Sequence, residues 1–207
     1  VTRRRLVPAL AAAALLLSAC AGEDGSFVAA PGPAQIDVDT AALREAKADA
    51  GIEECRPGDA SAGPVEGGLP ALELPCFGGG PAVDLSTLRG PLVLNAWFAT
   101  CAPCKRELPV LQDFYSQHGD RVDVLGVDFA DPITEGAMEL LVDSGVTYPQ
   151  VADTQGELQV DPVVRAVAFP TTVLVGADGV VEAVLPVEIR SVEQLEDLVA
   201  EHLGVEL

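Results

Sequence analysis

The sequence predicts an α/β fold, and three observations carry that expectation. Apolar runs that read as strands alternate with amphipathic stretches between residues 92 and 152. A hairpin pattern followed by one more helix closes the chain after residue 170. Finally, a Cys-x-x-Cys lies where an apolar run gives way to a helix, in Trp97-Phe98-Ala99-Thr100-Cys101-Ala102-Pro103-Cys104. Alternation of this kind fits neither a helical bundle nor a sandwich.

The chain opens with Arg3, Arg4 and Arg5, then an apolar run from Leu6 to Leu17 shorter than the ~20 residues of a membrane-spanning helix. Leu17-Ser18-Ala19-Cys20 resembles the cleavage box of bacterial lipoproteins. That resemblance implies a signal peptide over residues 1–19, lipid attachment at Cys20 and an extracytoplasmic chain anchored to the cell membrane. Residues 21–33 are small, polar and Gly/Pro-containing, a tether in composition. Thr40 before Ala41-Ala42-Leu43-Arg44-Glu45-Ala46-Lys47-Ala48 marks a short capped helix. A second linker runs from Pro57 to Gly68, so residues 20–68 read as a lipidated tether with a short helix and linker.

The compact domain is expected over residues 69–207. Leu72-Glu73-Leu74 and Ala82-Val83-Asp84-Leu85 read as strands separated by Gly78-Gly79-Gly80-Pro81. After the turn at Ser86–Gly90, Pro91-Leu92-Val93-Leu94 is a buried strand, and a helix follows from Cys104 to about Gln117. Val122–Phe129 is a strand, Thr134–Asp143 a helix, and Gln150-Val151-Ala152 a short strand. Leu158–Val167 reads as a helix broken by Pro162. Thr171–Val175, the Ala177-Asp178-Gly179 turn and Val180–Leu185 form the hairpin. Ser191 caps the last helix, to Leu203, with Gln194 at the reciprocal capping position.

At 207 residues and 49% hydrophobic the chain suits one domain with attached segments. A formal charge of −20 excludes nucleic acid as a partner, since little here neutralises a row of phosphates. Five cysteines are odd for an exported protein. Assigning Cys20 to lipid leaves four, with three pairings. Cys101 with Cys104 is the local one, which leaves Cys55 with Cys76 as a structural staple or a second redox pair. A zinc site made of all four thiols is the competing reading. His118 and His202 lie in no compact Cys/His pattern, and the strand–helix junction suits redox chemistry, so neither metal nor cofactor is expected. Unpaired N–H groups and the helix dipole favour a thiolate at Cys101, able to attack another protein's disulfide.

The strand, Trp97, the Cys101–Cys104 motif, the helix and Phe169-Pro170-Thr171-Thr172 before a strand together resemble the thioredoxin fold. The run Cys104-Lys105-Arg106-Glu107-Leu108-Pro109 and the helix around Met138 resemble its TlpA/ResA branch of thiol–disulfide oxidoreductases. The resemblance covers about Leu69 to Leu203. It implies a thioredoxin-like fold, a central mixed sheet flanked by helices with an N-terminal hairpin and an inserted helix. It implies Cys101 as nucleophile, Cys104 as resolving thiol, Pro103 restraining the turn and Pro170 as a cis-proline facing the dithiol. Trp97, Phe169 and Thr171 join Pro103 and Pro170 as residues against the substrate. Glu107, at i+3 from Cys104, influences the protonation of the dithiol. The branch further implies exported protein disulfides or thiols as partners, apocytochrome c among them, and a membrane-embedded electron donor or acceptor.

Three positions depart from the branch: Thr100 where many relatives have Trp, Ala102 where Gly or Glu is commoner, and Asn95 where thioredoxin has a buried Asp. An amide takes no proton, which leaves Glu107 as the base for Cys104. Two other functions compete. A thiol peroxidase on the same fold would have Thr where this chain has Phe98, three residues before Cys101. A non-enzymatic surface-binding lipoprotein would keep Cys101–Cys104 as a structural disulfide.

Overall fold

A computed structural model of the chain describes residues 36–59 and 61–207. The expected signal peptide, Cys20 and the tether over 21–33 lie outside the described residues. The described chain holds a two-stranded hairpin, β1 (Glu73–Leu74) and β2 (Val83–Asp84), and a five-stranded mixed sheet. The sheet comprises β3 (Leu92–Trp97), β4 (Asp123–Phe129), β5 (Gln150–Asp153), β6 (Thr171–Val175) and β7 (Val181–Leu185), in the order β5-β4-β3-β6-β7. β3, β4 and β5 run parallel; β6 pairs antiparallel with β3 and with β7. The helices are α1 (Ala41–Ala50), α2 (Ala102–His118), α3 (Thr134–Asp143) and α4 (Val192–Leu203).

Strand alternation sorts the core into two layers. Val93 and Trp97 of β3, Val124 of β4 and Leu174 of β6 pack with residues of all four helices. Leu92, Leu94 and Ala96 face the opposite way, with Val127, Val173 and Val175, and meet the hairpin and the segment carrying Leu158, Val164 and Ala166. Every residue of β3 is buried, as expected of a central strand covered on both faces, and its one polar side chain, Asn95, is hydrogen-bonded.

The segment upstream of Leu69 joins this core. Thr40 Oγ1 accepts from the Leu43 N–H at 3.2 Å, and Gly51 ends α1 with φ of 71°, a left-handed cap that glycine adopts without a Cβ clash. Val38, Leu43 and Ile52 are buried in the helix-side layer, α1 packs on α3, and Tyr115 donates to Glu53 at 2.7 Å. The Cys55–Cys76 disulfide ties this segment to the hairpin.

Two expectations differ from the structure. Leu158–Val167 is not a helix; only a 3-10 turn, Glu157–Gln159, forms. Asp153 accepts from the Glu157 and Leu158 N–H groups, and Asp161 Oδ1 from those of Val163 and Val164, so side chains take donors a helix would use. Pro162 supplies no donor at all. At α4, Ser191 Oγ accepts from the Gln194 N–H at 3.2 Å as expected, but Gln194 Oε1 accepts from Arg190 N–H rather than from Ser191.

Candidate active site

The parallel strands β3 and β4 end together beside the start of α2, the edge at which α/β sheets place their ligands. Cys101 is the N-cap of α2, with φ of −76° and ψ of 106°, and its Sγ accepts from the Cys104 N–H at 3.2 Å. Cys101 and Cys104 are joined as a disulfide. Cys101 keeps 6% of its surface while Cys104 keeps none, so an incoming thiolate meets Cys101 first. Thr100 and Ala102 are exposed around it, and Pro103 is half-buried in the first turn.

Glu107 lies one turn beyond Cys104 and is fully buried. Its Oε2 accepts from Asn95 Nδ2 at 2.8 Å and its Oε1 from the Ile189 N–H at 2.7 Å. Burial pushes its carboxyl up to about 7, against the lowering pull of those two hydrogen bonds. The Ile189 donor is held in place by its neighbour: Arg106 grips Glu188 through two hydrogen bonds, at 2.9 and 2.7 Å.

A polar row crosses the sheet under α2. Thr172, Asn95, Gly126 and Gln150 stand in one register across β6, β3, β4 and β5. Asn95 Nδ2 also donates to Thr172 Oγ1, and Gln150 Oε1 accepts from Trp97 Nε1 at 3.0 Å. A Cβ on Gly126 would lie 1.8 Å from Gln150 Oε1, so glycine is what lets Gln150 reach across to Trp97. Tyr148 is buried beside this row without a hydrogen-bond partner for its hydroxyl, which burial and the charge of Glu107 hold protonated.

Two further carboxyls flank the loop. Asp131 Oδ2 accepts from the Ala99 N–H at 2.7 Å, two residues before the nucleophile. Asp128 is buried on β4 opposite Trp97, its Oδ1 unpartnered, and burial, then the charge of Asp131, raises its pKa well above the ordinary value. Asp128, Asp131 and Gln150 escaped the sequence reading. The two aspartates carried one signal, acidic residues at the carboxyl end of a parallel strand; Gln150 carried none.

Phe169–Pro170 is a cis peptide, and the pairing of Thr171 with Ala96 brings it to the end of β3 beside the dithiol loop. Phe169 is half-buried and stacks edge-on with Phe98 at 5.3 Å and tilted on Phe129 at 4.6 Å. Of the residues expected against substrate, Pro103 and Phe169 keep surface, whereas Trp97, Pro170 and Thr171 are buried. Trp97 supports the loop from beneath, and Thr171 Oγ1 donates to the Ala168 carbonyl. Among the described residues no His, Cys, Asp and Glu cluster is built to hold a metal ion.

Fold and site together define a thioredoxin-like thiol–disulfide oxidoreductase. Residues 65–184 match the AhpC/TSA family, and the chain belongs to it. It is 29% identical over 131 residues to sporulation thiol-disulfide oxidoreductase A of Bacillus subtilis, covering 61% of this chain and 77% of that one. With thiol-disulfide oxidoreductase ResA of Oceanobacillus iheyensis it shares 32% identity over 109 residues, half of this chain and 53% of the relative, so it spans about half of ResA's length. The structure of DsbF from MTB superposes with a TM-score of 0.56 at 25% identity, covering 63% of this chain and 94% of that one.

Proposed function

We propose that the protein is a membrane-anchored, extracytoplasmic oxidoreductase that exchanges its Cys101–Cys104 pair with exported proteins, acting as a reductase. The observation that carries this reading is the stack along the start of α2 of Cys101, which keeps slight exposure, fully buried Cys104 and one buried carboxyl with a pKa near neutrality. The reduced site works in two steps. The Cys101 thiolate attacks a substrate sulfur, the substrate S–S bond breaks, and one substrate sulfur leaves as a thiolate. Cys104 then gives its proton to Glu107 and attacks Cys101. The mixed disulfide breaks, the second substrate thiolate leaves, and Cys101–Cys104 closes with two electrons passed to substrate. A Glu107 near neutrality both accepts that proton and returns it.

The anchoring rests on the lipoprotein-like segment ending at Cys20. Export supplies the partners: secreted disulfide or thiol proteins, apocytochrome c among them, and a membrane-embedded protein that restores the dithiol. The decisive experiment is a redox titration of Cys101–Cys104 with Cys55–Cys76 intact. A potential near thioredoxin's ~−270 mV or below supports the reductase, and one near ~−120 mV makes the protein an oxidant. Cys104→Ala accumulates mixed disulfides through Cys101, and full activity in Cys101→Ala would sink the mechanism.

A further inference from the structure

The second disulfide has an unusual neighbour. Lys47, on α1, is buried to 2% exposure, and its Nζ lies 3.2 Å from Cys76 Sγ. It donates to the Gly79 carbonyl at 2.7 Å and reaches Glu54 Oε2, on an exposed side chain, at 3.4 Å. The loop that wraps it is built for the purpose. Gly78, Gly79 and Gly80 all have positive φ, of 74°, 85° and 119°. A Cβ on Gly78 would press on the Lys47 side chain at 3.0 Å, and one on Gly80 would meet Glu54 Oε2 at 2.4 Å. The two sulfurs therefore sit in opposite fields. Cys76 faces an ammonium; Cys55 Sγ lies 3.1 Å from the Gln150 carbonyl oxygen, an acceptor that suits a thiol and opposes a thiolate.

We propose that Cys55–Cys76 is a second reducible site, polarised so that Cys76 leaves as a thiolate onto Lys47 while Cys55 carries the mixed disulfide. The co-reactant is a small thiol. Its thiolate attacks Cys55 Sγ, the Cys55–Cys76 bond breaks, and the electron pair goes to Cys76 beside the ammonium. A second small thiolate attacks the small-thiol sulfur of the mixed disulfide, forming the small disulfide and releasing the Cys55 thiolate, which takes a proton from water and, as a thiol, hydrogen-bonds to the Gln150 carbonyl. Two electrons have moved from two thiols to the protein. A leaving thiol of lowered pKa departs faster, so Lys47 sets both the direction and the ease of the exchange. Both sulfurs are buried, but Cys55 lies between exposed Glu54 and Arg56 in a non-helical segment, the side from which local opening uncovers it.

The test uses the full chain with Cys20→Ser, Cys101→Ser and Cys104→Ser, equilibrated with reduced and oxidised glutathione at pH 8.5 and read by alkylation and peptide mapping. Adding Lys47→Met lowers the equilibrium constant for reduction tenfold or more, about 30 mV in potential for this two-electron couple. The transient glutathione adduct maps to Cys55 with Lys47 present and spreads to both cysteines in Lys47→Met. An unchanged constant together with an unchanged adduct distribution overturns the proposal. A second measurement leaves the lysine in place. With Cys20→Ser and Cys55→Ser and the Cys101–Cys104 disulfide closed, the Cys76 thiol, followed by thiolate absorbance, titrates below the ~8.5 of a free cysteine. A value at or above that overturns the proposal independently of how Lys47→Met folds.

Discussion

Replacing Glu107 by Gln separates the fold's electrostatics from its shape. The carboxyl stands at about 7 in the folded protein against 4.5 when exposed, chiefly through burial. The folded state therefore holds this proton more tightly than the unfolded chain. Stability from the group is complete below pH 4.5 and is lost as pH rises through about 7. At about 1.4 kcal/mol per pH unit that interval amounts to about 3 kcal/mol. Gln keeps the volume and an oxygen for the Ile189 N–H, while Asn95 Oδ1, otherwise unpartnered, is available to the new amide by rotation of the Asn95 side chain. Urea unfolding of the oxidised chain at pH 4.5 and pH 8.5 measures the effect. The parent loses about 3 kcal/mol more between the two pH values than Glu107→Gln does. Asp128, raised by the same cause, titrates in both chains and cancels. Equal losses in the two chains would refute the assignment of a near-neutral carboxyl beneath the dithiol.

Other substitutions test the scaffold. Gly126→Ala drives a methyl into the Gln150 side chain, costs about 1–3 kcal/mol in urea unfolding, and shifts the fluorescence of Trp97, the only tryptophan. Asp131→Ala leaves the Ala99 N–H without its acceptor and costs about 1–3 kcal/mol; Asp131→Asn, which keeps an oxygen there, costs measurably less. Ser191→Ala removes the cap of α4 and costs about 1 kcal/mol, with thiol exchange at Cys101 unchanged.

Much of this architecture was legible because burial writes itself into composition. β3 and β4 carry short apolar runs, Leu92-Val93-Leu94 and Val124-Leu125, and α2 announces itself by a helix-start proline after the first cysteine and an apolar stripe through Leu108, Leu111 and Phe114. The stretch over 158–167 failed because its apolar residues face the sheet from an irregular segment. Asp153 and Asp161 there do locally what helix carbonyls do elsewhere. The dithiol was legible from one short motif, whereas Glu107 stood out only through the family resemblance, since an acid in the first turns of a helix is ordinarily solvated. The Asn95–Gly126–Gln150 row was not legible, since strand register brings together residues up to 55 positions apart, and no local pattern encodes register.

Cys101 both caps α2 and carries the exchange chemistry, and that coincidence links folding to redox state. In the disulfide its sulfur is neutral, and the first turn of the 17-residue helix contains no acidic residue. As a thiolate the same sulfur faces the positive end of the helix dipole, an interaction worth up to ~2 kcal/mol in partly buried geometry. A closed cycle of folding and reduction then requires that any stability α2 gains on reduction reappear as a higher reduction potential, about 30 mV for each 1.4 kcal/mol. The poise of the pair is thus a property of the helix start as well as of the sulfurs: a charge placed in the first turn shifts the potential without replacing either cysteine, whereas a substitution near Gly119, which stabilises both redox states alike, leaves it unchanged.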